Sequence, residues 1–284
     1  MARAITVGIA QITGDPLEPD ANRRASQDAA KEAFAAGAHV VVLPELIVSG
    51  YVADAGGLGD LAEPLEGPTV AMWTELAGDF GGLLVGGFCE RDGAALYNTA
   101  VIVDGGGVLA HYRKLHLFDR EKHVFAPGDR GLPVVDTPRG RLGLCVCYDL
   151  RFVEVVRLLS LQGAELVCVP TAWVVGFDHT RWDPQGLCPQ AHAAIQQANL
   201  DQVFIACASQ AGTRGTTEFL GSSIVVDPFG QLALGPLSGK NQAVATVTID
   251  LEDIEQAQRR SPLITPRADR RTDIYGIDLD GRRF

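Results

Sequence analysis

The sequence GLCVCYDLRF, which runs from Gly143 to Phe152, joins an apolar run to a cluster of charged residues. Two cysteines, Cys145 and Cys147, stand two residues apart at this junction. The ends of strands are where α/β proteins place ligand-binding and catalytic groups, because the sheet is rigid and the loops open to solvent. Free cysteine is also among the most often buried residue types. The stretch therefore raises the question of whether either thiol is reactive.

Strand and helix patterns alternate along the chain. The apolar runs 4–12, 39–45 and 141–147 predict buried strands, whereas 20–38 and 68–80 have the apolar spacing of helices. Further strand-like runs flank glycine or proline and predict hairpins. Strands interleaved with helices predict a mixed α/β fold in which helices cover the sheets.

The organisation of the chain predicts one domain. No repeat, linker or low-complexity tract interrupts residues 1–284, and a polar, Arg-rich tail follows from about residue 261. One long irregular segment, residues 171–189, contains two tryptophans and two prolines. Segments of this length in compact domains are usually either functional or disordered, and the aromatic content argues against disorder.

Composition limits the partners and the cellular location that we expect. The chain has 284 residues, of which 46% are hydrophobic, and a formal net charge of −11. Nucleic acids and anionic membranes both favour a basic surface, so neither is an expected partner. No apolar run approaches the roughly 20 residues of a membrane span, and the N-terminal residues lack the pattern of a signal peptide. Most of the six cysteines stand in strand-like runs, which predicts reduced thiols in a cytoplasmic protein.

Three strand-like runs each lead to a reactive polar side chain, namely Glu45, Lys114 and Cys147. A cysteine thiol ionises little at neutral pH, so nucleophilic attack needs a base or a nearby cation. Glu45 could take the proton, and Lys114, together with a backbone N–H just past Cys147, could stabilise an oxyanion. Such a triad performs acyl transfer from an amide to water through a thioester. The spacing alone leaves two alternatives open: Glu45 could cap a helix or pair with an arginine, and Lys114 could lie on the surface.

Four sequence blocks resemble the signatures of the nitrilase, or carbon–nitrogen hydrolase, superfamily. They are LPELIVSGY (43–51), YRKLHLFD (112–119), FAPGD (125–129) and CYDLRFVE (147–154), and they occur in the family's order. The later stretches VPTAW and SSIVVDPFG also fit, so the resemblance covers nearly the whole chain. It implies a four-layer α-β-β-α sandwich that assembles into homodimers or larger homo-oligomers. It also implies a small-molecule amide substrate and no metal or organic cofactor.

The resemblance assigns roles to individual residues. The family's catalytic glutamate, lysine and cysteine match Glu45, Lys114 and Cys147. Its second glutamate, which supports the lysine and positions the substrate, matches Glu121. The family's nucleophile precedes an aromatic or small polar residue and then an acidic residue, an order that fits Cys147. Cys145 is then expected to be a small core residue on the same side of the strand.

The residues after the nucleophile indicate the branch of the family. CYDLRF resembles the Nit, or ω-amidase-like, amidase branch and differs from the C-W-E of true nitrilases. The chain departs from that branch at Val153, where proline is usual, and in a longer Trp-containing insert, Val174 to Pro189. The expected reaction is therefore the hydrolysis of a small amide, with or without a carboxylate, to an acid and ammonia.

Several residues near these blocks are candidates for substrate contact. Arg151 suits a substrate carboxylate because a guanidinium binds one bidentately. An ion pair of Arg151 with Asp149 or Glu154 is the alternative. Trp173 and Trp182 could line the acyl pocket. Either could instead form a dimer contact, since aromatic residues are enriched at interfaces. The candidates for substrate contact are Tyr51, Tyr148, Arg151, Thr171 and Trp173.

Three other functions are compatible with the sequence. Hydrolysis of an N-carbamoyl amine or amino acid would release carbon dioxide together with ammonia. An acyltransferase would pass the thioester to an acceptor other than water. A catalytically silent relative would only bind a metabolite or a partner, and the intact set of Glu45, Lys114 and Cys147 argues against that.

Overall fold

Two six-stranded sheets form the centre of the protein, whose computed structural model describes residues 3–51, 57–179 and 182–284. In chain order the strands are β1 Ala4–Gln11, β2 Val40–Val42, β3 Leu83–Asp92, β4 Ala95–Asp104, β5 Gly107–Arg113, β6 Val134–Thr137, β7 Gly140–Leu144, β8 Leu166–Thr171, β9 Phe204–Ser209, β10 Ala211–Arg214, β11 Thr217–Leu220, β12 Ile224–Val226, β13 Leu232–Leu234, β14 Ala243–Asp250, β15 Asp278–Leu279 and β16 Arg282–Arg283. The first sheet has the order β14-β1-β2-β3-β4-β5, and the second has the order β13-β12-β9-β8-β7-β6. The pairs β10–β11 and β15–β16 form separate hairpins.

Helices cover the outer face of each sheet. The helices of the described residues are α1 Pro19–Ala35, α2 Leu58–Leu61, α3 Pro68–Phe80, α4 Val153–Leu161, α5 Pro189–Asp201 and α6 Asp253–Gln258, together with two 3-10 helices, Asp119–His123 and Cys147–Arg151. Helices α1 and α3 pack on the first sheet, α4 and α5 pack on the second, and the inner faces of the sheets meet. The layers are therefore α-β-β-α, and the predicted mixed α/β sandwich is confirmed.

The alternation of side chains along the inner strands explains how both faces of a sheet are buried. In β2, Val40 and Val42 belong to the core that includes the second sheet, whereas Val41 belongs to the core formed with α1 and α3. Successive residues of a strand point to opposite faces, so a run of three valines fills both layers. This is why the strand has a continuous apolar sequence.

The predicted helix 68–80 is confirmed with the same bounds. It has Pro68 in its first turn and ends at Gly81, which has a left-handed φ of 59°. Proline is favoured where the helix begins because its missing N–H is not needed there, and glycine at the end adopts left-handed backbone at little cost. The helix predicted within 20–38 is also confirmed: α1 ends at Ala35, and Gly37, the glycine expected to stop it, follows with a left-handed φ of 90°.

Parallel strands direct the loops after β2, β7 and β8 toward one region. Strands β1, β2 and β3 are mutually parallel in the first sheet, as are β7, β8 and β9 in the second. The backbone N–H of Glu45, three residues beyond β2, donates to the carbonyl of Thr171 at the end of β8, over 3.3 Å. The carboxyl ends of the two sheets therefore meet, and the loops that leave them share one site.

The segment predicted as a polar tail from about residue 261 is tied to the outer helices. Arg267 Nη2 donates to Ser160 Oγ of α4 over 2.9 Å and to the carbonyl of Asp201 in α5 over 3.0 Å. The hairpin β15–β16 follows. Among the helices of the described residues, none is long and apolar enough to cross a bilayer.

A buried charge network holds the end of β5, one residue before Lys114. Arg113 Nη2 donates to Glu90 Oε1 over 2.6 Å, and the other Glu90 oxygen lies within hydrogen-bond distance of His111 and Thr99. Burial alone would raise the pKa of Glu90, but the hydrogen bonds from His111, Arg113 and Thr99 outweigh it and lower the pKa to about 2.

We expect Glu90→Gln to reduce the free energy of unfolding by about 3 kcal/mol, because the buried Arg113 guanidinium loses its buried carboxylate partner and keeps only Asp92 and Asp129, whose side chains are more than half exposed. The folded pKa lies below the usual 4.5, so the stabilisation is fully present above that pH and is lost as the pH falls toward about 2. Urea denaturation at pH 7 and near pH 3 measures both effects. Exposed Glu75 on α3 provides the control Glu75→Gln, expected to change stability by less than about 0.5 kcal/mol. A loss for Glu90→Gln that is equal at both pH values would contradict the expectation.

Candidate active site

Cys147 lies in a tight turn rather than in a strand. The strand predicted over 141–147 ends three residues early, because β7 stops at Leu144 and a 3-10 helix begins at Cys147. Cys147 has a φ of 48°, in the left-handed region that residues other than glycine seldom adopt. The prediction that it shares a strand face with Cys145 is therefore wrong. The structure describes all six cysteines, and Cys147 is the only one with partial solvent exposure, whereas Cys145 is packed in the core.

Asp149 fixes the backbone of this turn. Its carboxylate, which has no solvent exposure, accepts the N–H of Val146 over 2.9 Å and the hydroxyl of Tyr112 over 2.7 Å. It also accepts the backbone N–H of His116 over 3.1 Å and lies 2.8 Å from His116 Nδ1. The His116 ring stacks on Phe152 with 3.5 Å between ring centroids. The carboxylate therefore links the turn to the loop that follows β5.

Lys114 forms a buried ion cluster with two glutamates. Its Nζ lies 2.6 Å from Glu45 Oε1 and 2.9 Å from Glu121 Oε2, and all three side chains are almost completely buried. Glu121 also accepts the Tyr51 hydroxyl and the Phe118 backbone N–H, each over 2.9 Å. Lys114 does not lie on the surface, so that alternative is wrong. The cluster brings together the LPE block, the end of β5 and the 3-10 helix 119–123.

Glu45 has one carboxylate oxygen that is engaged and one that is not. Oε1 accepts from Lys114 and from Asn98 Nδ2, the latter over 2.7 Å. Oε2 is buried and has no hydrogen-bond partner among the described residues. Gln210 Nε2 holds the Glu45 carbonyl over 2.9 Å. Glu45 therefore neither caps a helix nor pairs with an arginine, and its second oxygen is in a position to accept a proton.

Burial, together with the charge of Glu45, raises the pKa of the Cys147 thiol and favours its neutral form. Burial raises the pKa of this thiol well above its usual value, the Glu45 carboxylate raises it further, and Lys114 and a hydrogen bond from the Ala172 backbone oppose the shift. Burial lowers the pKa of Lys114, but the charges of Glu121 and Glu45 more than compensate and raise it above the usual value. The resting site therefore holds a neutral thiol, a permanent ammonium and a nearby carboxylate.

Glu121 differs from an exposed glutamate in its affinity for a proton. Burial raises the pKa of Glu121, and the Glu45 charge adds to this effect. Lys114 and the Phe118 backbone N–H oppose the increase without cancelling it. Glu121 is thus held by three donors and shares its lysine with a second carboxylate.

Two cavities belong to the site, one beside the turn that carries Cys147 and one beside the ion cluster. One, of about 400 Å³, is lined by Tyr148, Arg151 and Trp173, together with Ala172, whose N–H reaches the Cys147 thiol. The other, of about 170 Å³, is lined in part by the cluster residues Tyr51 and Glu121. Phe118, Val174 and Phe177 line both cavities. The larger volume is sufficient for a small acyl chain.

Two of the predicted substrate contacts, Arg151 and Thr171, are engaged by other groups of the protein. Arg151 pairs neither with Asp149 nor with Glu154; its guanidinium donates to Asp178. Thr171 is buried, and its hydroxyl donates to the backbone carbonyl of Ala208 over 3.3 Å. The hydroxyl therefore contacts the protein backbone.

Trp182 does not lie deep in a pocket. It is 43% exposed, and its ring lies against Gly239. Trp173, in contrast, is buried at the wall of the larger cavity.

Four further residues belong to the site although no sequence motif assigned them to it. Asn98 is a polar residue within an otherwise apolar strand, a signal that could have indicated a buried contact. Phe118 stands inside the YRKLHLFD block. Phe177 and Asp178 belong to an irregular segment, and its sequence gives no periodic pattern from which their position could be derived.

Comparison with known proteins places the chain in a family. The model of the carbon–nitrogen hydrolase family matches residues 6–259. A protein of Pyrococcus abyssi described as a nitrilase is 33% identical over 274 residues, covering 95% of this chain and 99% of that protein. The omega-amidase of Homo sapiens is 31% identical over 261 residues, covering 88% and 89% of the two chains.

Solved structures give the same result. The amidase of Nesterenkonia sp. superposes with a TM-score of 0.76 at 29% identity, covering 95% of this chain and 94% of that one. Variants of that amidase have been solved with butyramide and with the acetamide moiety of fluoroacetamide attached to the active-site cysteine. The fold and site define a hydrolase of the nitrilase type. This chain belongs to the carbon–nitrogen hydrolase family and is an enzyme that acts on non-peptide C–N bonds.

We expect Glu45→Gln to slow amide hydrolysis and, at the same time, to lower the pKa of the Cys147 thiol. Amide hydrolysis should fall by about 10²- to 10⁴-fold if Glu45 is the general base that the sequence predicts. The midpoint of the pH profile for alkylation of Cys147 by iodoacetamide should move to lower pH, because a carboxylate that raises the thiol pKa is gone while Lys114 is retained. Glu154→Gln, at an exposed position, is the control and should change neither quantity. A midpoint that moves upward would contradict this account.

We expect Asp149→Asn to misplace the nucleophile turn. The amide N–H₂ would face N–H donors, so the free energy of unfolding should fall by about 1–3 kcal/mol. kcat should fall by about 10²-fold with little change in KM, because the reacting sulfur and not the acyl pocket is displaced. Steady-state kinetics with urea denaturation measures both, and Asp136→Asn, at an exposed position, is the control. A variant in which only KM changes would show that Asp149 acts elsewhere.

Proposed function

We propose that the protein is a cysteine-dependent amidohydrolase that cleaves a small amide to an acid and ammonia through a thioester. The observation that carries this is the buried cluster in which Glu45 holds Lys114 with one oxygen and leaves the other without a partner among the described residues, while the Glu45 charge raises the pKa of the Cys147 thiol. Nucleophile, base and cation are the parts that acyl transfer from an amide requires.

The first half of the proposed reaction forms the thioester. Glu45 takes the proton of Cys147 as the sulfur attacks the amide carbon, and the carbonyl oxygen becomes an oxyanion. Lys114 Nζ and the backbone N–H of Tyr148, the residue after the nucleophile, stabilise that oxyanion. Glu45 then delivers the proton to the nitrogen, and ammonia leaves while the acyl group stays on sulfur.

The second half hydrolyses the thioester. Glu45 removes a proton from water, the resulting hydroxide attacks the acyl carbon, and the sulfur leaves and recovers a proton from Glu45. Glu121 acts by keeping Lys114 charged and in place, and Tyr51 holds Glu121 through the 2.9 Å hydrogen bond. The scheme needs no metal or organic cofactor, because these side chains supply nucleophile, base and oxyanion donors.

The larger cavity is the proposed acyl pocket. Tyr148, Arg151 and Trp173 line it, and Tyr51 lines the smaller one, so these four are proposed substrate contacts. We propose a supporting role for Thr171, whose carbonyl accepts the Glu45 N–H. The complexes of the Nesterenkonia amidase with small amides support a substrate of that size.

The assembly and location of the protein are part of the proposal. The outer helices expose apolar side chains such as Val153 of α4, 63% exposed, and Leu200 of α5, 55% exposed. Such residues suit a contact between copies of the chain, which supports a homodimer or a larger homo-oligomer. A single domain and a cytoplasmic location stay predictions from the sequence.

The decisive experiment compares Cys147→Ala with Cys145→Ala. We expect Cys147→Ala to lose at least about 10³-fold of the ammonia release from a panel of small amides, since removal of a nucleophile disables the whole triad. Cys145→Ala should retain most of the activity. Mass spectrometry of the wild-type protein after rapid quenching should find the acyl group on Cys147.

Other outcomes point to the alternatives. Carbon dioxide released from an N-carbamoyl panel would indicate the carbamoyl hydrolase, and an acylated amine product would indicate the acyltransferase. Full activity of Cys147→Ala would overturn the mechanism.

A further inference from the structure

The insert that follows β8 contributes residues to the proposed acyl pocket. Phe177 lines the larger cavity and contacts Phe118 edge to face, with 4.6 Å between ring centroids. Phe118 in turn contacts Tyr148, the residue after the nucleophile, at 5.1 Å. These aromatic rings make much of the pocket wall apolar. The next residue of the insert, Asp178, places a carboxylate beside Arg151, which also lines this cavity.

Asp178 engages the one residue of the pocket that is suited to a substrate carboxylate. Arg151 Nη2 donates to Asp178 Oδ2, and the Arg151 side chain is 46% exposed whereas that of Asp178 is 17% exposed. The two residues are 27 positions apart in the chain, so the pair exists only because the insert folds back over the turn of the nucleophile. The guanidinium is therefore already bound to a carboxylate of the protein.

We infer that Asp178 is a specificity-determining residue that makes the enzyme prefer amides with an uncharged acyl chain over amides that carry a carboxylate at the far end. The inference rests on the proposed amidase function and specifies the substrate class of that site. It assigns to the insert the task of occupying Arg151, which would otherwise attract acidic substrates.

The physical reason is competition between two carboxylates for one guanidinium. A substrate carboxylate that approaches Arg151 must displace Asp178 or share the cation with it, and sharing places two negative charges side by side. An apolar chain has no such conflict and gains contact with Phe118, Trp173 and Phe177. Because Arg151 is partly exposed, water screens the repulsion, and the expected discrimination is moderate.

The test uses two substrates with the same number of heavy atoms in the acyl chain, 4-methylpentanamide and succinamate, in which a carboxylate replaces the terminal isopropyl group. The readout is the ratio of kcat/KM for succinamate to that for 4-methylpentanamide, from ammonia release. In the wild-type enzyme we expect this ratio to be below about one tenth, and Asp178→Asn should raise it about tenfold. Adding Arg151→Gln to Asp178→Asn should cancel the gain, because the free guanidinium is then gone.

A matched control comes from the same insert. Asp183→Asn removes an equal charge, and asparagine retains an oxygen that can accept the N–H groups of Gln185 and Leu187, which Asp183 Oδ1 now accepts. We expect this variant to keep the wild-type ratio. A wild-type preference for succinamate, or a ratio that Asp178→Asn leaves unchanged, would overturn the inference.

A failure of the inference about Asp178 can be distinguished from a failure of the proposed amidase function. If the wild-type enzyme released no ammonia from either amide, the proposed function would fail, and the inference would be judged by binding. Calorimetry of the Cys147→Ala protein, with and without Asp178→Asn, then compares the affinities for the same two amides. Tighter succinamate binding only when Asp178 is replaced supports the inference, whereas equal affinities in the two proteins, or no binding of either amide, overturn it.

Discussion

The buried ammonium of Lys114 is the interaction on which the rest of the site depends. A cation without water must be compensated, and leaving it with one partner too few costs about 3–5 kcal/mol. Its two carboxylates come from the loop after β2 and from a 3-10 helix beyond β5, so these segments are held together in the folded protein. The charges also raise the pKa of the lysine, against the effect of burial. The ammonium is therefore a fixed positive charge and takes no part in proton transfer.

The turn that carries Cys147 is held by hydrogen bonds to Asp149 and not by an ion cluster. Asp149 has no lysine or arginine beside its carboxylate among the contacts described; instead it accepts N–H and O–H groups, including the N–H of Val146 before the turn. A carboxylate that accepts several hydrogen bonds fixes a loop more precisely than an ion pair of flexible side chains, because each bond has a direction. This rigidity maintains the left-handed φ of Cys147, a conformation that the free chain disfavours. Asp149 thus fixes the geometry of the Cys147 turn, whereas Glu45 and Glu121 balance the charge of Lys114.

Local pattern predicted the elements of this fold better than their ends and pairings. The helix 68–80 has the predicted bounds because proline and glycine mark both of its ends. The strand ending in Cys147 was predicted too long, because three apolar residues continue the pattern after the ladder has stopped at Leu144. The facing of the two sheets came from the family resemblance and not from periodicity. For Arg151 the sequence suggested a substrate carboxylate or an ion pair with a neighbour in the chain, but its partner in the structure, Asp178, lies in a segment without periodicity, so only the folded chain shows the pair.

The protonated state of the thiol determines how the proposed reaction must proceed. A preformed thiolate would be a better nucleophile, but it would leave no proton for the departing ammonia. In this site the Glu45 charge and burial together keep the proton on sulfur until a substrate arrives. Glu45 then receives that proton on the oxygen that Lys114 does not occupy, and the same proton is available to the leaving nitrogen. Lys114, whose pKa is raised, cannot substitute for it. One carboxylate must therefore serve as base and as acid in turn, which explains why one of its oxygens is held and the other is left unpaired among the described residues.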